Sequence, residues 1–93
     1  MPEVSAENYL NHPNFGLLFR VCLVDDNREL FTTLYAQRLF FLVINQSDGL
    51  VFEPITRTDA RIMVENRVRV LRRSGPQTDY ENLLGIYKQT FQA

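Results

Sequence analysis

The sequence predicts an α+β protein: a small N-terminal antiparallel β-barrel over residues 1–55, followed by two α-helices over residues 56–93. Three observations predict it. Up to Pro54 the apolar residues fall into short β-forming runs separated by turn residues. After Pro54 their spacing lengthens from the period of a strand to that of a helix. Leu39 to Ile44 form an unbroken apolar run, which puts large apolar groups on both faces of one strand. A chain of 93 residues has one core and readily buries only one of those faces. The other needs a cover, either the chain's own helices or a partner protein.

Each element has its own signal. Glu7 to Leu10 is a short first strand, before the turn-like Asn11-His12-Pro13-Asn14. Phe15 to Val24 is rich in β-formers and ends at Asp25-Asp26-Asn27, residue types that bond their own backbone in turns. Glu29 to Thr33 follows as the return strand of a hairpin. Gln37 to Ile44 is the next strand, and Asn45 to Gly49 is a turn whose glycine can take positive φ. Leu50 to Pro54 closes the set. Four or five short antiparallel strands in about 50 residues predict a small barrel of SH3 or Tudor type.

Thr56-Arg57-Thr58-Asp59 resembles a capping box with Asp in the last place. Ala60, Met63, Val64, Arg67/Val68 and Leu71 then form a helical stripe that ends near Arg73. Ser74-Gly75-Pro76 breaks it. Thr78-Asp79-Tyr80-Glu81 is a complete capping box for a second helix, whose Tyr80, Leu83, Leu84, Tyr87 and Phe91 form a narrow seam. That seam can pack on the first helix as a hairpin.

Net charge is −1, unevenly placed. Residues 1–54 carry three Arg against seven acids, and residues 55–93 carry six Arg and one Lys against four acids. Arg57, Arg61, Arg67, Arg69, Arg72 and Arg73 suit three roles: a solvated face with local pairs such as Glu65–Arg69, docking to an acidic protein surface, or phosphate contacts. Cys22 is the only cysteine, so no intrachain disulfide forms, and its apolar setting predicts a small buried hydrophobe. The polar start Met1-Pro2-Glu3-Val4-Ser5 has no secretory pattern and no apolar run approaches a membrane span, so the expected location is cytoplasmic.

Catalysis is poorly supported. His12 is the sole histidine and reads as structural or solvated, and Asp25-Asp26 reads as a solvated turn rather than a carboxylate pair. No phosphate loop, dinucleotide glycine pattern or zinc spacing is present, so no metal and no cofactor is expected. Tyr9 and Tyr35 alone are a weak hint of an aromatic cage for a methylated lysine.

On the long strand, Tyr35, Gln37, Leu39, Phe41 and Val43 share one side, and Ala36, Arg38, Phe40, Leu42 and Ile44 share the other. Periodicity leaves open which set lines the barrel.

Several segments carry a resemblance: Glu7-Asn8-Tyr9-Leu10-Asn11-His12-Pro13, the block Thr32-Thr33-Leu34-Tyr35-Ala36-Gln37-Arg38-Leu39-Phe40-Phe41-Leu42-Val43, Phe52-Glu53-Pro54-Ile55, Arg57-Thr58-Asp59-Ala60-Arg61, and Leu71-Arg72-Arg73. Together they resemble the PipX family, small cyanobacterial partners of the PII signal protein, nearly end to end. The resemblance implies a Tudor-like barrel with two C-terminal helices and no enzymatic activity. It implies a transcriptional coactivator of the nitrogen regulator NtcA when 2-oxoglutarate is abundant, captured by PII when 2-oxoglutarate is low and ADP is high. PlmA is implied as a further partner through PII, and the small effectors are implied to bind the partners. The same barrel face would serve PII and NtcA in turn, with the helices near the barrel in the free protein and swung out on PII. The partner-binding residues implied are Glu7, Tyr9, Tyr35, Gln37, Arg38, Leu39 and Phe41. With the resemblance, the outer apolar face is expected to be a partner surface that the helices share or border. The rival class is an RNA- or DNA-binding module, a related small barrel with an Arg-rich helix.

Overall fold

The computed structural model describes residues 8–33 and 39–92. Five antiparallel strands form one sheet in chain order: β1 (Tyr9–His12), β2 (Gly16–Asp25), β3 (Arg28–Thr33), β4 (Phe40–Gln46) and β5 (Gly49–Ile55). The sheet curls into a half-barrel of the Tudor/SH3-like kind, and two helices follow, α1 (Arg57–Ser74) and α2 (Gln77–Phe91).

Two strand boundaries differ from expectation. Asn11 and His12 belong to β1 rather than to a turn, because they pair with Leu17 and Gly16 across the first hairpin. Gly16 carries the required positive φ of 76°. Asn45 and Gln46 extend β4 by pairing with Leu50 and Gly49, so the last hairpin turns on Ser47-Asp48 alone. The β2–β3 hairpin turns where expected. Asp25 lies opposite Arg28, its carboxylate accepts the Asn27 N–H at 3.3 Å, and it pairs with Arg28 at 2.6 Å. The Arg28 hydrogen bond holds this carboxyl below its ordinary value.

Both faces of β4 are buried, in two separate clusters. Phe41 and Val43 join Leu18 and Phe31 inside the curl, with Leu10 and Phe52 closing over them. Phe40 faces the other way and joins Val21, Cys22, Leu30, Ala60, Val64, Leu71 and Leu83 beneath the helices. A bulge at Val21, between the Arg20–Phe31 and Cys22–Leu30 pairs, lets β2 present both Val21 and Cys22 to the helices. The helix stripe is as predicted at Ala60, Val64 and Leu71, with Met63 only half-buried.

The helix ends obey different rules. Thr56 caps α1, its hydroxyl accepting the Asp59 N–H at 3.0 Å. The expected capping box of α2 does not form: Pro76 takes the cap position, its carbonyl accepts the Tyr80 N–H, and no side chain caps the helix. Proline presets its φ at −63°, and Thr78 falls inside the first turn. Glu81 is drawn sideways to Gln77 at 3.0 Å.

Between the helices Gly75 is needed for closeness, not for φ, which is an ordinary −95°. Its N–H donates to the Leu71 carbonyl at 2.9 Å, and a Cβ there would stand 2.9 Å from the Leu71 Cα. Gly75→Ala is therefore expected to destabilise the fold by about 1–3 kcal/mol, because the backbone it meets cannot step aside cheaply. Urea unfolding followed by circular dichroism checks this; an unchanged midpoint would show that the hairpin opens without strain.

Candidate functional site

The described residues leave few large apolar side chains exposed, and three of them, Tyr9, Phe15 and Leu39, belong to β1, to the turn after it and to the entry of β4. Leu39 is 42% exposed, yet its backbone is fixed. Its N–H donates to the Thr33 hydroxyl at 2.9 Å, and its carbonyl accepts both the Thr33 N–H at 3.0 Å and the Thr32 hydroxyl at 2.9 Å. Both threonines are buried. The side chain is thus held out to solvent on a fixed backbone, so covering it would cost little further ordering of the chain.

Beside Leu39 lies an open cavity of about 300 Å³, lined by Phe15, Leu39, Phe40, Phe41, Pro54, Ile55, Thr56 and Arg57. Phe41 is only 2% exposed, because its face of β4 lines the interior of the curl. It forms the floor of the rim, with its ring 5.1 Å from that of Phe15. His12 completes this aromatic group, 5.0 Å from Phe15, 5.9 Å from Phe41 and 5.1 Å from Phe52. Its Nδ1 accepts the Asn14 N–H at 3.1 Å, so the ring is anchored to the turn it packs beside. Tyr9 stands on β1 against Phe19, ring centroids 5.7 Å apart, and does not line the cavity.

Of the residues expected at the partner face, Leu39 and Phe41 come together at this rim and Tyr9 lies apart on β1. Glu7, Tyr35, Gln37 and Arg38 lie outside the described residues. The outer face of β4 was expected to be one that the helices share or border, and at Phe40 it is the helices that take it. That side chain is 3% exposed and stacks on Phe91 of α2 at 5.5 Å, because the protein's own helices supply the cover. Phe15 and Arg57 are rim residues that the sequence reading missed. An exposed aromatic at a hairpin tip, just before a glycine, was the available signal for Phe15.

The arginines of α1 divide by role. Arg57 donates to the Thr90 carbonyl at 2.6 Å and lies over the Phe91 ring at 5.1 Å, so it fastens the start of α1 to the end of α2. The expected Glu65–Arg69 pair does not form: Glu65 accepts the Tyr87 hydroxyl at 2.6 Å and Arg69 donates to Asn66 at 2.7 Å. The Glu65 bond raises the Tyr87 phenol above its ordinary value. Arg67 is half-buried and lines a second cavity of about 450 Å³ between β2 and the helices, with Arg20, Asp79 and Asn82. Cys22 lies at its base, where burial pushes the thiol up to about 12, outweighing the nearby Arg67 and Arg20. A thiol kept protonated is no nucleophile. Among the described residues no group of three His, Cys, Asp or Glu side chains is placed to hold a metal ion, and no helix is long and apolar enough to cross a membrane.

The family model described as PipX: PII-interacting protein X matches residues 6–91 of the chain. The chain belongs to the PipX family. No curated protein matches it significantly. The family is one of PII-interacting regulatory adaptors rather than of enzymes, and the Tudor/SH3-like half-barrel with a two-helix tail is the shape in which this member presents its rim.

Thr33→Val leaves the Leu39 N–H without its hydroxyl acceptor and should cost about 1–3 kcal/mol in denaturant unfolding; a neutral result would mean that water replaces the hydroxyl. At about pH 9 the native Cys22 thiol should react with iodoacetamide far more slowly than in the unfolded chain, since only the unfolded thiol ionises there. The folded thiol's raised value also means that stability is intact below 9.0, the ordinary value, and declines as pH rises from there towards about 12. Equal alkylation rates would refute the buried, protonated thiol.

Proposed function

We propose that this protein is a non-enzymatic transcriptional coactivator and adaptor that exchanges between two regulators, NtcA and PII. It joins NtcA when 2-oxoglutarate is abundant and is captured by PII when 2-oxoglutarate is low and ADP is high, with PlmA reached through PII. Membership of the PipX family over residues 6–91 carries this reading. The expected setting is the cytoplasm of a cyanobacterium, with the barrel of residues 1–55 as the partner-binding part and residues 56–93 as the helical tail.

The partner face would be the barrel rim. Leu39 supplies an exposed apolar anchor on a fixed backbone and Phe41 a buried floor, while Tyr9, apart on β1, would add a second exposed ring. Glu7, Tyr35, Gln37 and Arg38 bring the polar and aromatic groups that dominate hot spots. The switch is competition for one surface: 2-oxoglutarate and the ATP/ADP ratio change each partner's affinity, and the adaptor redistributes by mass action. No small effector needs a site on this chain.

Tyr35→Ala and Leu39→Ala should each weaken both complexes, Tyr35→Ala by about 2 kcal/mol or more if it is a hot spot. Isothermal titration against PII with ADP, and against NtcA with 2-oxoglutarate, reads both. Unchanged affinity for both partners in a folded variant would remove that residue from the face, and loss of one complex alone would refute a shared surface.

A further inference from the structure

We propose that the outward face of α1 is a second docking surface, separate from the barrel rim, that receives an acidic amphipathic helix of a protein partner. The inner face of α1 is already committed, since Ala60, Val64 and Leu71 are buried against the sheet and α2. On the opposite side Ile62, Asn66, Arg69, Val70 and Arg73 follow at i, i+4, i+7, i+8 and i+11, the spacing of a single helical stripe. Ile62 is 45% exposed and Val70 41%, although both are branched aliphatics on a regular helix. The stripe runs about 16 Å along the axis, three turns of a partner helix.

The chemistry of the occupant follows from charge. Helix α1 holds six arginines against Asp59 and Glu65, and Glu65 is engaged by the Tyr87 hydroxyl. The ion pairs found among the described residues both lie on β2 and β3. Arg61, Arg72 and Arg73 are exposed without a carboxylate partner among the described residues. Arg69 reaches back to Asn66 at 2.7 Å, which ties its guanidinium to a residue of the same stripe. Apolar side chains with guanidinium groups between and beyond them match a surface that alternates Leu or Ile with Glu or Asp. A nucleic-acid backbone fits less well, because phosphates would meet Ile62 and Val70 with nothing apolar to cover them.

The test uses the full chain and three probes: a helical peptide of about 20 residues with Leu and Glu on one stripe at matching spacing, a scrambled peptide of the same composition, and duplex DNA of similar length. The striped peptide is expected to bind and to shift the amide resonances of Ile62, Asn66, Arg69, Val70 and Arg73. Ile62→Asp and the pair Arg69→Glu with Arg73→Glu should each lower its affinity by about tenfold or more, while affinity for PII is unchanged. Amide shifts in the unaltered protein give an answer even if a variant fails to fold. Absent binding, equal binding of the scrambled peptide, shifts centred on the barrel rim, or tighter binding to DNA that collapses with added salt would each overturn the proposal.

Discussion

The fold depends on one strand having to be dry on both sides. β4 sends Phe41 and Val43 into the curl of the sheet and Phe40 out of its back, and each face carries aromatic surface too large to leave in water. The curl answers the first demand and the helical hairpin answers the second. Phe91 at the end of α2 reaches Phe40 at the start of β4, so the last turn of the chain closes a contact begun some fifty residues earlier. The bulge at Val21, the close approach at Gly75 and the Thr56 cap all serve to bring α1 and α2 down on that same side.

Once both faces are covered, little of β4 is left for a partner except its entry. This is why the exposed apolar side chain that β4 does offer, Leu39, stands at the strand's entry rather than on a sheet face. Leu39 sits one residue before the strand, where the hydroxyls of two buried threonines add to a single backbone bond from Thr33 as its support. A rim built in this way is rigid at the backbone and open at the side chain, a combination that favours binding without a large ordering cost.

Much of this was legible in the sequence, for stateable reasons. β-forming runs between turn residues, followed by a helical period, located four or five strands and two helices, and Thr56 announced its helix because a cap is a local event. Which side of β4 faces inward was not legible, since both sides are apolar and alternation divides a strand without orienting it. The second capping box failed because a proline two residues earlier set the helix start first. His12 read as a turn residue because its neighbours are turn formers, whereas its pairing with Gly16 and its three aromatic contacts are tertiary facts. Glu65 followed the same rule: an i+4 arginine was predicted, but a tyrosine from the other helix reached it. The threonine support of Leu39 joins residues six and seven apart in the chain and leaves no mark in composition.

Arg57 belongs to two places at once. It walls the cavity beside Leu39, and it holds the tail through the Thr90 carbonyl and the Phe91 ring. While the tail is seated, part of that guanidinium's donor capacity and one flank of its charge are already taken. Were the tail to lift, the same wall would become a bare cation facing whatever fills the cavity. The electrical character of the rim is thus tied to the posture of the last turn of the chain, with no side chain at the rim needing to change.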